Sequence, residues 1–461
     1  MKRLFIILCV LCASVAILGC EGATEEELLS GSSGGPKAPS NLKTTAVLAT
    51  QVSLEWDDNA TNETGFKVER KKAAEPTYFV VKTLPENILS YSDIGLSPAY
   101  LYYYRVRAYN NGGDSSPSNE ISVATPWKLD SIDALNSAGK YNSIVIDSNY
   151  RVHICYYNET TGDLKYANNL GGGWSTITLD SLNNTGFYTS IAVDSDNNLH
   201  ISYRNADLGT LKYATNVSGV WLTYTIDNTG DVGEYTSIAV DSNDKICISY
   251  YDVGNKALKY ATNVTGPWVK STVDNAGDVG KYTSIAYDLN NNGIHISYYD
   301  EFNTALKYAS NTTGTWNTAF VTTPLSGVIE GSYTSIDVNS AGNAFISYFD
   351  ETNKILKCAT NKLGTWQSAT IDSSVEIGGY TSLFLSSDGI AFIAYYDKTN
   401  RDLKYATYYI TSEFVNITTY PAVDSAGDVG QWCSIMIDDD KCIYISYYDA
   451  TNSDLNCAVG R

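Results

Sequence analysis

The C-terminal three quarters of the chain repeat one pattern of apolar and polar positions seven times. In the copy that begins at Tyr235, residues 235–242, 248–252 and 258–263 are apolar or alternate between apolar and polar, and a fourth run follows Trp268. Asn, Asp, Gly and Ser separate the runs, and β-branched and aromatic residues fill them, which is typical of strands joined by tight turns. No stretch has the apolar spacing of a helix. Each copy therefore predicts four short β-strands.

The copies recur with a nearly constant period. Their starts are separated by 47, 47, 47, 51, 47 and 52 residues. Each start is an aromatic residue: Tyr141, Tyr188, Tyr235, Tyr282, Tyr333, Tyr380 and Trp432. Four strands in about 47 residues is the period of a β-propeller blade.

The two ends of the repeat region complement each other. The seventh copy stops after its third run, at Ala458, and has no fourth strand. Trp127 precedes Tyr141 by 14 residues, which is also the spacing from Trp174 to Tyr188. We therefore predict that the N-terminal strand completes the last blade and closes the circle, since an open solenoid would need polar capping repeats. The predicted fold is all-β, with a seven-bladed β-propeller over residues 127–461.

Five copies share a turn with the pattern Asn-x-x-Gly-x-Trp. These turns start at Asn169, Asn216, Asn263, Asn311 and Asn361. The pattern resembles the Asp-box turn of sialidase-like propellers, without the aspartate of that motif. The resemblance implies a fold and not a chemistry.

Residues 38–126 have a different pattern. Pro39-Ser-Asn-Leu42 opens the segment, Trp56 ends the second predicted strand, and residues 65–70 form the third. Tyr102 begins a long alternating run and lies four residues before Val106. These features resemble a fibronectin type III domain, in which Tyr102 would take the tyrosine-corner position. The resemblance implies a β-sandwich that serves as a spacer or an adhesive module.

The N-terminus predicts export and anchoring. Lys2 and Arg3 precede an apolar run over residues 4–18 that is short for a membrane span. The run ends in Ile-Leu-Gly-Cys20, which resembles the bacterial lipobox and implies that Cys20 is lipidated. Cleavage after Ala16 is the alternative. Residues 21–37 are acidic and rich in Gly and Ser, which predicts a flexible tether.

Composition narrows the class of partner. The net charge is −20 and the pI is about 4.5. Such acidity argues against nucleic acid and anionic membrane surfaces as partners. The expected location is the bacterial cell envelope, in the outer membrane or at the cell surface. We expect the protein to be a monomer that is attached to the membrane by its N-terminal lipid. Six cysteines follow Cys20, several at repeat positions held elsewhere by other residues, which predicts small buried thiols.

The predicted ligand site lies where turns and aromatic strand starts share one end of the propeller. Aromatic faces beside carboxylates suit sugars or cationic ligands. The candidate residues are Tyr188, Tyr235, Tyr282, Tyr333, Tyr380, Trp432, Asp252, Asp300, Asp350, Asp397 and Asp449, with Tyr141 nearby. The alternative is that the aromatic residues wedge between blades and the aspartates cap turns.

Calcium is the only cofactor that the sequence suggests. Asp288, Asn290 and Asn292 match the start of a calcium loop, but no Glu follows at the twelfth position. A tight turn between two strands is the alternative interpretation. His153, His200 and His295 occupy one repeat position, which indicates packing between blades and not a metal site.

No catalytic constellation is recognised. Sialidases of this shape need three arginines around a carboxylate and a Tyr/Glu pair, and the propeller has only Arg151, Arg204, Arg401 and Arg461. Glu234 is a mild departure from the repeat without a partner carboxylate. We therefore predict a binding lipoprotein and not an enzyme, which presents the propeller to a protein or glycan at the cell surface. The alternatives are a polysaccharide hydrolase or lyase acting at the channel mouth, and a structural scaffold of the envelope.

Overall fold

The computed structural model describes residues 34–374 and 376–461, which consist of strands, turns and irregular connections. No helix in these two ranges is long and apolar enough to cross a membrane. The predicted export signal, Cys20 and residues 21–33 of the predicted tether lie outside the described residues. What the sequence predicts for them stays a prediction.

The first eight strands of the described chain form two antiparallel sheets. One sheet has the order β1-β2-β5 and the other β4-β3-β6-β7, with β8 paired to β6. The strands are β1 Ser40–Leu48, β2 Gln51–Asp57, β3 Gly65–Lys72, β4 Phe79–Pro85, β5 Ser90–Ile94, β6 Leu101–Asn110, β7 Gly113–Asp114 and β8 Ile121–Ala124.

Alternation of apolar and polar residues explains how these two sheets face each other. In β2, Val52, Leu54 and Trp56 are buried and the residues between them are not. The hydroxyl of Tyr102 accepts a hydrogen bond from the backbone amide of Ser97 at 2.9 Å. A tyrosine at the start of a strand that bonds back to the chain a few residues upstream is the tyrosine corner of β-sandwiches. The role predicted for Tyr102 is confirmed.

The remaining strands of the described chain form seven four-stranded antiparallel sheets. The first of these strands is β9 (Lys128–Asp133), and it is followed in sheet 1 by β10 Ala138–Ile146, β11 Val152–Asn158, β12 Asp163–Asn168 and β13 Ser175–Asp180, in sheet 2 by β14 Thr185–Val193, β15 Leu199–Asn205, β16 Thr210–Thr215 and β17 Leu222–Asp227, and in sheet 3 by β18 Val232–Val240, β19 Ile246–Asp252, β20 Ala257–Thr262 and β21 Val269–Asp274. Sheet 4 consists of β22 Val279–Asp288, β23 Gly293–Asp300, β24 Ala305–Ser310 and β25 Asn317–Phe320, and sheet 5 of β26 Glu330–Val338, β27 Ala344–Asp350, β28 Ile355–Thr360 and β29 Gln367–Asp372. Sheet 6 consists of β30 Ile377–Leu385, β31 Ala391–Asp397, β32 Asp402–Ile410 and β33 Val415–Thr419, and sheet 7 contains β34 Val429–Ile437, β35 Ile443–Asp449 and β36 Asp454–Gly460. Within sheets 1 to 6 the strands pair in chain order.

Sheet 7 takes its fourth strand from the other end of the repeat region. Its order is β34-β35-β36-β9, and Lys128 to Asp133 of β9 pair with Val459 to Leu455 of β36. The indole of Trp127 packs against the ring of Tyr405 in sheet 6, with centroids 5.5 Å apart. The 14-residue spacing predicted this position for the strand.

The first strands of the seven sheets contact one another in cyclic order, and β34 contacts β10. In each sheet, a serine two residues after the aromatic start accepts a hydrogen bond at 2.9–3.3 Å from a backbone amide in the next first strand. These serines are Ser143, Ser190, Ser237, Ser284, Ser335, Ser382 and Ser434. The last bond runs from the amide of Ile144 to Ser434, so the series of hydrogen bonds returns to its starting sheet.

The second strand of each sheet is buried along all or nearly all of its length, and in sheets 2 and 4 the third strand is equally buried. All seven residues of β19 are buried, as are all residues of β11, β15, β23 and β27. By contrast, β17 is exposed except at Ile226 and Asp227. A strand that is covered on both faces needs small or apolar side chains at every position. That requirement explains why the second strands carry Ile-Ser-Tyr-Tyr and do not alternate with charged residues.

The repeated Asn-x-x-Gly-x-Trp turn has a distinct task for each of its three defining residues. In sheet 2, the side-chain oxygen of Asn216 accepts a hydrogen bond from the amide of Leu199 at 2.7 Å. Gly219 has a φ of 83°, a backbone conformation that favours glycine. The indole of Trp221 packs against Tyr166 in sheet 1, with centroids 5.2 Å apart. In the five sheets that carry it, the turn therefore ties the outer part of the sheet to its neighbour.

Buried aspartates form a second link between neighbouring sheets. Asp227, at the end of β17, accepts hydrogen bonds from Tyr250 at 2.7 Å and from Lys259 at 2.8 Å, both in sheet 3. Burial alone would raise the pKa of Asp227, but hydrogen bonds led by that from Lys259 hold it below the usual range. Asp133 of β9 makes the corresponding hydrogen bonds to Tyr156 and to a lysine of sheet 1. The same aspartate–tyrosine bond recurs from Asp180, Asp274, Asp372 and Asp424.

Among the described residues, six cysteines carry free thiols, and all except Cys442 are buried. Burial raises the pKa of Cys155 to about 12 and of Cys433 to about 12. Such thiols stay protonated and act as small apolar groups. The sequence predicted this role.

Candidate functional site

The aromatic start of each repeat lies in the first strand of its sheet with a left-handed backbone. The φ angles of these residues lie between 49° and 72°, which is uncommon for any residue except glycine. In each sheet the pairing of the first two strands shifts register at this point, as between Lys140 and Ser143 in sheet 1. A bulge of this kind re-aims a side chain out of the regular pleat. The bulge directs each of these aromatic side chains toward the aromatic side chains of the neighbouring sheets.

These seven side chains form a closed ring of aromatic groups, which we call the aromatic ring. Consecutive centroids are 4.4–5.4 Å apart, and consecutive planes are inclined by 34–66°. The series runs from Tyr141 through the tyrosines to Trp432, whose centroid lies 5.4 Å from that of Tyr141. Tilted contacts at this separation are favourable between aromatic side chains. Six of the predicted ligand-binding residues are therefore brought together, and Tyr141 completes the set.

A buried polar layer lies next to the aromatic ring. It consists of the residue that follows each aromatic: Asn142, Thr189, Thr236, Thr283, Thr334, Thr381 and Cys433. The hydroxyl of Thr334 donates to the carbonyl of Tyr282 at 2.9 Å, and that of Thr381 donates to the carbonyl of Tyr333 at 3.1 Å. These bonds satisfy carbonyls that the bulge removes from the strand ladder. The polar layer thus holds the aromatic ring in position.

Two cavities border the aromatic ring. One, of about 190 Å³, is lined by the seven aromatic side chains together with the polar layer. The other, of about 230 Å³, is lined by the aromatic side chains alone. Both are smaller than the range of about 300–1,000 Å³ that is usual for drug-sized ligands. Either cavity has room for a group the size of one sugar ring and not for an oligosaccharide.

Burial raises the pKa of five tyrosines of the aromatic ring. It raises the pKa of Tyr141 to about 12. It also raises the pKa of Tyr188, Tyr235, Tyr282 and Tyr380 above the ordinary phenol value. The hydroxyls of these five tyrosines stay protonated at neutral pH, so they can donate and accept hydrogen bonds.

A charged cluster departs from the repeat between sheets 2 and 3. Arg204 is 8% exposed and occupies a position held by an aromatic residue in the other six sheets. Its guanidinium bonds to Glu234, and it contacts Asp231 with an N–O distance of 2.6 Å. Glu234 directly precedes Tyr235 of the aromatic ring. The sequence signal for this cluster is the arginine in the last Tyr position of Ile-Ser-Tyr-Tyr, but its pairing with Glu234 depends on the contact between sheets.

The five predicted aspartates are placed away from the aromatic ring. They are 0–4% exposed, and neither cavity is lined by any of them. In Asp252, one carboxylate oxygen accepts the backbone amide of Asn255 and the other accepts its side-chain amide, both at 2.9 Å. The same pair of bonds is made by Asp300, Asp350, Asp397 and Asp449 to the asparagine three residues on. These aspartates cap the turns after the second strands, as the alternative interpretation proposed.

The predicted calcium-loop residues point to different partners. The two carboxylate oxygens of Asp288 accept hydrogen bonds within its own turn, from Asn290 at 2.9 Å and from Asn291 at 2.7 Å. The side chain of Asn292 instead accepts a hydrogen bond from Tyr287 at 2.5 Å. Asp288 and Asn290 bond to each other, whereas Asn292 bonds to Tyr287, so the three side chains do not gather around one point, and the calcium interpretation stays a prediction.

Each predicted histidine lies in a different sheet. His153 contacts the hydroxyl of Tyr166 at 2.5 Å and Asp147 at 3.4 Å, and burial lowers its pKa despite that carboxylate. His200 and His295 have equivalent tyrosine and aspartate neighbours. Within residues 34–374 and 376–461, no group of three or more His, Cys, Asp or Glu side chains is placed to hold a metal ion.

Comparison with known families bears on the N-terminal sheets. Residues 37–124 match the family described as Fibronectin type III domain. These residues are a fibronectin type III domain. The solution structure of the fibronectin type III domain of human fibronectin type III domain containing protein 3 is 26% identical. The match covers 21% of this chain and 91% of the chain of that domain, with a TM-score of 0.19.

Two further comparisons concern carbohydrate-active proteins. An α-amylase of Niallia circulans is 28% identical over 129 residues, which are 28% of this chain and 9% of that protein. The chain therefore spans less than a tenth of the length of this curated relative. The crystal structure of the NanB sialidase from Streptococcus pneumoniae is 13% identical and covers 92% of this chain and 93% of that chain, with a TM-score of 0.43.

Proposed function

We propose that residues 127–461 form a closed seven-bladed β-propeller that binds a glycan at the aromatic ring. The fibronectin type III domain is the spacer between this propeller and a lipid on Cys20, and the protein acts as a monomer in the bacterial cell envelope. The observation that carries the proposal is the closed series of seven aromatic side chains bordering two cavities.

The backbone of the aromatic ring supports a binding role. A bulky residue held in a sparsely populated backbone conformation costs about 1–3 kcal/mol. Seven such residues recur, and their rings are only partly buried although they contact one another. Strain of this kind persists where the surrounding structure needs the side chain in one place. Aromatic faces and protonated hydroxyls together suit the apolar face and the hydroxyl groups of a sugar ring.

The contacts that Arg204 makes with both carboxylates of the charged cluster favour binding over hydrolysis. Glycoside hydrolysis needs two carboxyl groups, one of them free to donate a proton. Glu234 breaks the repeat near the aromatic ring, whereas Asp231 recurs as Asp278 and Asp428, and both carboxylates contact Arg204. A hydrolase at the channel mouth is the second candidate function because this cluster is present. Release of reducing sugar that is lost in Glu234→Gln would favour it.

Replacing one aromatic of the ring is expected to weaken glycan binding about tenfold or more. Tyr282→Asn is suited to this test because asparagine tolerates the left-handed backbone of this position better than most residues. The measurement is titration against the strongest ligand from an array of immobilised polysaccharides. Tyr224→Asn is the matched control, since Tyr224 is 47% exposed on an outer strand. Equal affinities for the two variants, at unchanged melting temperatures, would remove the aromatic ring as the binding site.

Anchoring is tested separately. Cys20→Ala is expected to prevent lipidation and to move the protein from the membrane fraction to the soluble fraction, because the lipid is the proposed attachment. Fractionation of cells followed by immunoblotting measures the distribution. If Cys20→Ala remains in the membrane fraction to the same extent as the parent, the lipoprotein proposal fails.

A further inference from the structure

At four of the seven boundaries between sheets, the residue just before the aromatic of the ring covers the boundary with the preceding sheet. Phe187 packs on Tyr157 with centroids 4.3 Å apart, and the ammonium of Lys281 lies 5.8 Å from the ring centroid of Tyr251. Lys140 lies over Tyr448 at 5.7 Å, and Glu234 bonds to Arg204. At these four boundaries a side chain therefore closes the surface beside the aromatic ring.

The boundary between sheets 5 and 6 has a glycine at this position. A Cβ on Gly379 would lie 2.4 Å from the ring of Tyr333, and a Cβ on Gly378 would lie 2.5 Å from the ring of Tyr396. The side chains of Tyr333 and Tyr396 thus pack directly on the glycine backbone, and any larger residue in place of either glycine would force these side chains to move. Beside them is a cleft of about 440 Å³, which we call the Gly379 cleft.

The Gly379 cleft adjoins the aromatic ring. Tyr333 and Tyr380 line both, so a ligand can contact the ring and the cleft together. Phe349 and Tyr396 supply further aromatic surface. The volume falls within the range that is usual for ligand sites. The cleft therefore extends the aromatic surface outward from the ring at one of the seven boundaries.

The charges at the rim of the cleft balance. Glu351, Glu376, Lys354 and Lys398 line it, two of each sign. Lys398 contacts Glu376 with an N–O distance of 2.8 Å. The ammonium of Lys354 lies 5.9 Å from the ring centroid of Phe349. A rim without excess charge offers no net attraction to an anionic or a cationic ligand and supplies hydrogen-bonding groups to a neutral one.

We infer that the Gly379 cleft is a subsite for a second, uncharged sugar unit of a glycan whose terminal unit lies at the aromatic ring. This inference rests on the proposed glycan-binding function. It adds that the protein contacts the second sugar unit at only one of the seven boundaries between sheets, although the aromatic ring itself is nearly symmetric.

Binding of neutral oligosaccharides of one to four units tests the inference. The probes are the cello- and malto-oligosaccharide series, titrated against the full-length protein. We expect the disaccharide to bind about tenfold more tightly than the monosaccharide. Gly379→Ser introduces the residue that sheet 5 carries at this position, and it is expected to abolish that increment and also to weaken monosaccharide binding, because its side chain displaces the ring of Tyr333. A melting curve verifies that the variant folds.

A rim variant covers the case in which Gly379→Ser does not fold. Glu351→Ala removes a carboxylate from the cleft, and Glu301→Ala removes the carboxylate at the same turn position in sheet 4. Loss of a charge-assisted hydrogen bond would weaken disaccharide binding about tenfold in the first variant and not in the second.

The outcomes separate the two proposals. If no probe binds, the glycan site at the aromatic ring is contradicted, and the subsite with it. If probes bind but length adds nothing, or both cleft variants retain the increment, only the subsite is overturned. Tighter binding of a disaccharide that carries a uronic acid than of its neutral counterpart would overturn the assigned ligand class.

Discussion

A chain that begins at Asn136 and ends at Arg461 is expected to aggregate, or to melt about 10 °C or more below a chain that begins at Pro126. The shorter chain lacks β9, which is the fourth strand of sheet 7. Its removal exposes the backbone edge of β36, which then presents unpaired amide and carbonyl groups to other molecules.

Loss of β9 also removes a link between sheets 7 and 1. Asp133 accepts hydrogen bonds from Tyr156 and Lys165, and the side chain of Lys165 is only 15% exposed. Removing one partner of a buried ion pair costs about 3–5 kcal/mol because the other charge is left unpaired. The packing of Trp127 on Tyr405 is lost as well.

Calorimetry and light scattering on the two chains measure this effect. The chain that begins at Pro126 also lacks the fibronectin type III domain, so it isolates the contribution of β9. We expect it to melt cooperatively as a monomer. Equal melting temperatures and equal monomer content in the two chains would contradict closure through β9, and with it the proposed count of seven blades.

Asp227→Ala is expected to destabilise the protein by about 3–5 kcal/mol. The carboxylate of Asp227 is fully buried and accepts hydrogen bonds from Tyr250, Lys259 and Lys270 at 2.7–3.0 Å. Its loss leaves the ammonium of Lys259 without its nearest buried counter-charge. Chemical unfolding at pH 7 gives the free energy of unfolding. Asp196→Ala, at an exposed turn, is the control and is expected to change that free energy by less than about 0.5 kcal/mol.

The pH dependence of Asp227→Ala follows from the lowered pKa of Asp227. A carboxyl whose pKa is lower in the folded state stabilises the protein fully above its unfolded pKa of about 3.9, and this stabilisation is lost as the pH falls through the folded pKa. The difference between parent and variant is therefore expected to be constant from pH 5 to 7 and to narrow below about pH 4. A difference that stays constant down to pH 2 would show that Asp227 does not act through its charge.

Much of the strand order follows from short-range pattern. Strand runs, turns and the 14-residue spacing of Trp127 are local features, and the pairing of β9 with β36 agrees with them. The tyrosine corner and the buried thiols were also recognisable, because each depends on one residue at a fixed position. The seven aromatic starts could be named for the same reason, since one residue type recurs at one repeat position.

The composition of the site depended on side-chain direction, which a linear pattern does not contain. Asp252 and its four equivalents follow the second strands closely, yet the asparagine three residues on captures both carboxylate oxygens and holds them in the turn. Arg204 and Glu234 lie 30 residues apart and meet only because adjoining sheets face each other. The Gly379 cleft likewise exists because rings from two sheets pack on one glycine pair. A repeat in the sequence predicts which positions of the seven sheets are equivalent. Contacts between sheets decide which of these equivalent positions differ in their surroundings, because those contacts join residues that no local pattern relates.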